Sequence, residues 1–380
     1  MTRALKTYDT QIGGPSQPEL TRFIEHKIAP ILMRAKTDSA LHPDKSKKIV
    51  APFMIGMVSF MAIFGLVNLA LPNTFFGEAL SIIAFPILFL AVMALTLFLS
   101  RHRIAEVLLA TRDNFLIRSE ALTALSKEMG LAYIPIPGGP SETIKAFARW
   151  RYCPQLLKDF AELMDDHGGF DDVSETIRQS GLAVPREAIL ASDKNKANIY
   201  QRQVGAAQFE DGIKGEINGI AFSALEWTES QDESTRHHLL IVLQLPTTLA
   251  GRVEFKNKAG KWPVKSPDYK GKPVSLISKA FAKQYQVRAS DQMEGRLIFD
   301  PAVIEKLTAF TSTDEICGVA FESHLVVDLI GRNRFDILDV VTGEWSEDSI
   351  QTTLDDFNEV IDFAATVSRT FSVKPLSRSA

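Results

Sequence analysis

Two long apolar runs near the start of the chain constrain its fold more than any other feature. Residues 49–71 and 79–99 contain no Lys, Arg or Asp, and only Pro72–Glu78 separate them. The runs are 23 and 21 residues long, enough for an α-helix to cross a hydrocarbon layer roughly 30 Å thick. Core helices of water-soluble proteins contain shorter apolar runs. The pattern therefore predicts a transmembrane helical hairpin.

The charged residues beside the hairpin predict its orientation. Three lysines lie within residues 45–48, and Arg101 and Arg103 follow the second run. Cationic flanks stay on the cytoplasmic side of a membrane, so we expect two spans with both termini in the cytoplasm. Inside the spans Asn68 is the only amide and there is no ionisable residue. Transport pathways usually place such groups at depth, so the hairpin is interpreted as an anchor in the lipid bilayer rather than a pore.

Charge and cysteine content narrow the classes of protein to which this chain can belong. Residues 1–48 carry nine Lys and Arg against five Asp and Glu, whereas residues 104–380 carry 31 against 40. The basic start suits an anionic inner leaflet, and the acidic remainder excludes a typical nucleic-acid-binding domain. Cys153 and Cys317 are far apart and form no CxxC motif. This usage fits reduced, buried thiols in the cytoplasm.

Composition shifts divide the chain into five predicted segments. They are a cytoplasmic N-terminal segment (1–48), the transmembrane hairpin (49–99), a helical stalk and linker (100–175), an α+β cytoplasmic domain (176–372) and a flexible tail (373–380). Amphipathic spacing predicts helices over Gln17–Ala35, Arg103–Gly130 and Ser141–Met164. Gly130 is the expected stop of the second, and a Pro- and Gly-rich linker precedes the third.

Strand patterns begin near Asn198. Predicted strands cover Gln201–Glu210, Glu216–Glu226, Leu239–Leu245, Arg252–Lys256, Gly295–Phe299, Ile316–Phe321 and Leu325–Ile330, with Gly212, Gly215 and Gly219 at turns. Leu239–Leu245 is expected to be central, and Arg252–Lys256 half-exposed. Asp300 and Pro301 predict a helix start, and a helix is expected over Thr352–Phe371. Sequential strands with helices among them predict an α+β fold with a mainly antiparallel sheet.

Several short motifs resemble a bacterial membrane family known as domain of unknown function 3137. They are DGIKGEINGIAFSALE (211–226), LQLP (243–246) with Gly251-Arg252, AKQYQV (282–287) and GVAF (318–321). The likeness covers most of residues 100–340, but His237-His238 stand where the family pattern has an aromatic residue two positions before glycine. The resemblance implies an inner-membrane protein with a cytoplasmic α+β domain. It implies no catalytic residues.

The densest group of potential metal ligands surrounds Gly168-Gly169. Its members are Glu162, Asp165, Asp166, His167, Asp171 and Asp172. Their spacing differs from the alternating oxygen ligands of a calcium loop. A solvated helix end followed by a new helix cap explains the group better.

Other candidate motifs also favour structural roles. His237 and His238 are adjacent, so in a strand they point to opposite faces and cannot easily share a metal. Gly212–Gly219 lacks the G-K-[ST] ending of a phosphate loop. Cys153 is more simply a buried thiol than a nucleophile. The sequence therefore predicts no catalytic, cofactor-binding or metal-binding residue.

Two functions remain open. The first is a non-enzymatic, membrane-anchored module that binds a protein, a lipid headgroup or a second copy of itself, with no cofactor and no nucleic acid. The alternative is a membrane-tethered hydrolase or transferase whose site is assembled from distant residues such as Asp166, Glu226 and His238, since catalytic groups need not be neighbours in sequence.

Overall fold

The computed structural model describes thirteen stretches of the chain. They are residues 17–35, 87, 89–91, 110–135, 173, 176–177, 179–180, 207–231, 234–257, 271–276, 278–310, 315–340 and 342–373. Within these stretches, no helix combines the length and apolarity needed to cross a bilayer. The first apolar run, most of the second, the Ser141–Met164 helix, the acidic group at 162–172, Cys153 and the tail after residue 373 lie outside them.

The chain packs as two units. The first, which we call the sheet unit, comprises residues 1–28, 121–337 and 346–380, and the second comprises residues 29–120 and 338–345. In the second unit, Arg34 forms an ion pair with Glu120, and the side-chain amide of Asn114 donates a hydrogen bond to the Val340 carbonyl at 3.3 Å.

The predicted helix that begins at Gln17 is confirmed and extends to Leu32. It contains α1 (Gln17–Phe23), a π-helical turn (Ile24–Ile28) and α2 (Ala29–Leu32), and its apolar residues Leu20, Ile28 and Leu32 are buried. Residues 110–128, here α3, are also helical. Gly130 follows with a φ of +72°, the left-handed conformation of a helix stop, which confirms the predicted end.

In the described part of the sheet unit, nine strands form one antiparallel sheet. They are β1 (Ala132–Pro135), β2 (Ala207–Ile217), β3 (Ile220–Gln231), β4 (Ser234–Gln244), β5 (Arg252–Asn257), β6 (Lys272–Pro273), β7 (Tyr285–Ala289), β8 (Glu315–Phe321) and β9 (His324–Gly331). Their order is β1-β2-β3-β4-β9-β8-β5-β7-β6. Every pairing is antiparallel, which confirms the α+β class with a mainly antiparallel sheet.

Strand β4 is central, as its apolar run predicted. It pairs with β3 on one side and β9 on the other. Ile241 and Val242 point to opposite faces and are both buried. Because both faces are covered, a nearly continuous apolar run replaces the alternation of a half-exposed strand.

Within the described residues, four helices follow β6 in the chain. They are α4 (Lys279–Gln284), α5 (Gln292–Ile298), α6 (Pro301–Phe310) and α7 (Glu347–Val373). The predicted helix start is confirmed at α6, where the Asp300 carboxylate accepts a hydrogen bond from the Ala302 amide at 3.0 Å. The closing helix is confirmed and begins five residues earlier than expected. The predicted strands Ile316–Phe321 and Leu325–Ile330 are confirmed as β8 and β9, which form a hairpin with Glu322-Ser323 at its turn.

The predicted strand Gly295–Phe299 is wrong, because most of it belongs to helix α5. The Asp291 carboxylate accepts hydrogen bonds from the amides of Met293, at 2.6 Å, and Glu294, at 3.1 Å. This cap starts the helix at Gln292, three residues before the predicted strand. The apolar residues Leu297 and Ile298 are buried from the helix.

Two further expectations need correction. Gly212 and Gly215 lie inside β2 rather than at turns, whereas Gly219 is in a turn with φ +78°. At Gly215 a Cβ atom would stand 2.6 Å from Leu131 Cδ2, so close packing explains that glycine. Strand β5 is not half-exposed, because it lies between β7 and β8 and buries Glu254 as well as its apolar neighbours.

Candidate functional site

Polar and aromatic side chains form a row across the middle of the sheet. Strand register pairs Trp227 with His238, and Asp328 with Cys317. Asp328 is opposite Leu240, which is two residues from His238 and therefore on the same face. Strands β3, β4, β9 and β8 thus place these four side chains on one side of the sheet, which we call the histidine face.

A histidine–aspartate pair occupies the centre of this row. His238 Nδ1 lies 3.2 Å and 3.1 Å from the two carboxylate oxygens of Asp328. The imidazole stacks on the Trp227 ring, with centroids 3.6 Å apart and planes inclined by 26°. His238 and Asp328 are only 4% and 6% exposed. The carboxylate therefore fixes one edge of the imidazole, and the indole covers its plane.

The pair is surrounded by apolar side chains. Trp227 and Cys317 share a buried cluster with Ile134, Ile177, Leu225, Leu240, Val242, Val319, Phe321 and Val326. In such surroundings an isolated charge is costly, whereas a hydrogen-bonded partner offsets much of that cost. His238 and Asp328 therefore depend on each other to remain inside the core.

The outer nitrogen of the imidazole is enclosed. His238 Nε2 and Trp227 Nε1 are buried, and neither has a hydrogen-bond partner in the structure as far as it is described. A general base needs its free nitrogen within reach of a substrate proton. In this conformation His238 Nε2 lies inside the core, out of hydrogen-bond reach of any described side chain. The arrangement is suited to holding strands together rather than to transferring protons.

Cys317 ends the row as a buried thiol. Burial, followed by the negative charges of Asp328 and Glu315, raises the pKa of this thiol well above its ordinary value. The thiolate is the reactive form of cysteine, so this environment suppresses nucleophilic chemistry. The expectation of a buried thiol is confirmed for Cys317.

Two members of the alternative enzyme site do not converge. Register pairs Glu226 with Leu239 and Trp227 with His238, so Glu226 and His238 point to opposite faces. The Glu226 carboxylate instead accepts a hydrogen bond from the Arg334 amide. Asp166, the third member, is outside the described stretches. His237 and His238 occupy opposite faces, as predicted, with His237 half-buried.

A second polar cluster connects α7 to the segment after β9. The buried Asp356 carboxylate accepts hydrogen bonds from Arg332 Nη1 at 2.7 Å and from Arg334 Nη1 at 2.9 Å. Arg334 Nη1 also lies 3.0 Å from Glu359. Burial raises the pKa of Asp356 to about 6 despite both arginines. The cluster fixes one side of α7 to the end of the sheet.

Sequence analysis missed both Asp328 and Asp356. Each carried a usable signal, because each interrupts an apolar pattern: Asp328 within the strand HLVVDLIG, and Asp356 beside Phe357 on a helix. A carboxylate at a core position requires a partner. The sequence does not identify that partner, since it lies 90 residues away for Asp328.

The described residues contain no group of three His, Cys, Asp or Glu side chains arranged to hold a metal ion. The acidic group at 162–172 is not among them.

Comparison with known proteins confirms the resemblance to domain of unknown function 3137 over part of the chain. Residues 232–369, from two residues before β4 to near the end of α7, match the family model described as protein of unknown function (DUF3137). No curated protein matches the chain. A crystal structure of the mycobacterial trehalose monomycolate transport factor A, TtfA, is similar over 46% of this chain and 78% of that chain, with 13% identity and a TM-score of 0.27.

Proposed function

We propose that this chain, whose residues 232–369 carry the DUF3137 domain, is a membrane-anchored interaction module rather than an enzyme. Its helical hairpin would hold the sheet unit at the cytoplasmic side of a bacterial inner membrane. There the unit would bind a protein partner, a lipid headgroup or a second copy of the chain.

The apolar runs support the anchor. Residues 49–71 and 79–99 have the length and composition of membrane spans. The cations that flank them favour a hairpin with both ends in the cytoplasm. The connection Pro72–Glu78 is too short to hold a domain on the far side. Any recognition by this protein is then assigned to its cytoplasmic residues.

The enclosed His238–Asp328 pair is the observation that carries the non-enzymatic assignment. Among the described residues it is the histidine–carboxylate contact that most resembles catalytic machinery, and both side chains are less than a tenth exposed. Trp227 stacks on the imidazole, and the free nitrogen faces no accessible space. These contacts favour a role in the fold.

Topology reporters test the anchor. We expect fusions at residues 45 and 110 to be active only as cytoplasmic reporters, and a fusion at Asn73 only as a periplasmic one. Periplasmic activity at residue 45 or 110 would contradict the proposed orientation.

Complementation tests the absence of catalysis. In a strain lacking the protein, a chain carrying both His238→Leu and Asp328→Leu should restore the phenotype, because two apolar side chains can replace a buried pair without losing the fold. A chain with an unrelated hairpin of the same orientation should also restore it. Loss of complementation by the double variant, at unchanged abundance and melting temperature, would favour the enzyme.

A further inference from the structure

We propose that the β6–β7 edge of the sheet unit lies against anionic lipid headgroups; this inference rests on the proposed membrane anchor. The surface, which we call the cationic edge, consists of β6, α4, β7 and α5. Its exposed cations are Lys272, Lys279, Lys283, Arg288 and Arg296.

Strand pairing and local contacts bring these elements together. Pro273 of β6 is in register with Arg288 of β7, and α4 leads directly into β7. The side-chain amide of Gln292 on α5 donates a hydrogen bond to the Pro273 carbonyl at 3.1 Å. Arg296 Nε donates to the Ser275 carbonyl at 3.3 Å. The cations therefore share one edge of the sheet although 24 positions separate the first from the last.

Carboxylates of the same segment do little to neutralise this edge. Glu294 is buried and accepts hydrogen bonds from the amides of Ala250 and Gly251. Asp300 caps α6 and is half-buried. Asp291 caps α5 and is the one exposed carboxylate among residues 271–276 and 278–300. Four exposed cations, Lys272, Lys279, Lys283 and Arg296, thus stand against one exposed carboxylate, whereas Arg288 is in register with the buried Glu254 of β5 and interacts with its charge.

The opposite charge dominates the following part of the unit. Residues 301–337 and 346–373 contain twelve Asp and Glu against four Lys and Arg, and the chain as a whole has a formal charge of −4. This asymmetry would orient the unit near an anionic surface, with the cationic edge attracted and the acidic part repelled.

An exposed methionine favours lipid over other polyanions. Among the described residues of the sheet unit, Met293 on α5 is the large apolar side chain left most exposed, at 69%. It lies within the cationic edge, three positions from Arg296. Apolar side chains among cations are typical of surfaces that enter the headgroup layer, whereas a hydrated polyanion offers methionine nothing to contact.

Lysine labelling of the full chain in vesicles tests the inference. The chain is reconstituted in phosphatidylcholine vesicles, with or without phosphatidylglycerol, and treated with a water-soluble amine reagent. Mass spectrometry then compares labelling of Lys272, Lys279 and Lys283 with that of Lys306 in the same molecules. Lys306 is the internal reference because it lies on α6 and pairs with Asp362 of α7.

We expect labelling of the three edge lysines, relative to Lys306, to fall at least about threefold with phosphatidylglycerol. The difference should disappear at about 0.5 M NaCl, where charges are screened within a few ångströms. The variant Lys279→Glu with Lys283→Glu should weaken protection of Lys272, whereas Lys306→Glu should not. Equal labelling ratios in both vesicles would overturn the inference. Equal protection by inorganic phosphate without vesicles would replace it with general anion binding.

Flotation of the same samples separates this inference from the anchor. A chain that floats with phosphatidylcholine vesicles at high salt, but shows no phosphatidylglycerol-dependent protection, keeps the anchor and loses the cationic edge. A chain that floats only with vesicles containing phosphatidylglycerol at low salt, and whose edge lysines are protected, supports the cationic edge and contradicts the anchor. Failure to float under either condition contradicts both.

Discussion

His238 Nδ1 lies 3.1 Å from Asp328 Oδ2, across the boundary between strands β4 and β9. This boundary joins two halves of the sheet, since β1 to β4 are consecutive neighbours and β9 begins the half that contains β8, β5, β7 and β6. His238 and Asp328 thus form a buried polar pair on the histidine face that crosses this boundary. We interpret it as a device that sets the β4–β9 register, because a shift by one residue would separate the pair and bury both groups alone.

Removing the imidazole should destabilise the protein strongly. His238→Ala leaves the Asp328 carboxylate buried without its partner, and we expect the free energy of unfolding to fall by about 3–5 kcal/mol. His237→Ala, on the other face of the same strand, should cost far less. Urea unfolding followed by tryptophan fluorescence measures both. Similar costs for the two variants would show that the pair contributes little.

A charge inside the central strand should be more damaging than the same charge at its end. Ile241 has no exposed surface, so Ile241→Asp buries an unpaired carboxylate and should cost about 4 kcal/mol or more. Gln244→Asp, at an exposed position of the same strand, is the matched control. If the melting temperatures of the two variants differ by only a degree or two, Ile241 lies at the surface and the prediction is wrong.

The pH dependence of stability should reveal Asp356. Its pKa is raised from 3.8 to about 6 in the folded chain, so between these values the folded state holds a proton that the unfolded state has released. Stability from this group is therefore greatest below about pH 4 and falls by about 3 kcal/mol as the pH rises to about 7. Asp356→Asn removes the titration. The free energy of unfolding of the wild type minus that of Asp356→Asn should decrease over this pH range. An increase would show that the attraction of Arg332 and Arg334 for the Asp356 carboxylate outweighs the effect of its burial.

Cys317 should resist alkylation while the protein is folded. With Cys153→Ser as background, iodoacetamide should modify Cys317 at least about a hundredfold more slowly in buffer than in denaturant, because its thiol is buried and its pKa is raised. Mass spectrometry of timed samples gives both rates. Comparable rates would mean that the β8 strand opens readily.

The amino-acid sequence predicted the elements whose pattern is strong over many residues. Strand β4 and helix α7 are long and strongly patterned, so local spacing was sufficient. The pattern was misleading at Gly295–Phe299, where five residues fit either a strand or a helix, and the deciding contact is the Asp291 cap. The pattern was misleading again at Arg252–Lys256, where charged and apolar residues alternate. Such alternation normally indicates a half-exposed strand, but here the buried Glu254 carboxylate forms an ion pair with Arg252.

The candidate site was less accessible to prediction. His238 was singled out, and its orientation opposite to His237 was correct. Its partner Asp328 was missed, since their contact depends on pairing between strands that are distant in sequence. No local rule brings those strands together.

The late position of helix α7 in the chain affects how the sheet folds during synthesis. The helix packs against β2 and β3, yet more than a hundred residues separate β3 from the start of α7. During synthesis at about 5–20 residues per second, the first strands therefore leave the ribosome several seconds before the helix that covers them. Over that interval the nascent sheet presents an uncovered apolar surface, and chaperone binding should be strongest on chains stalled just before residue 347.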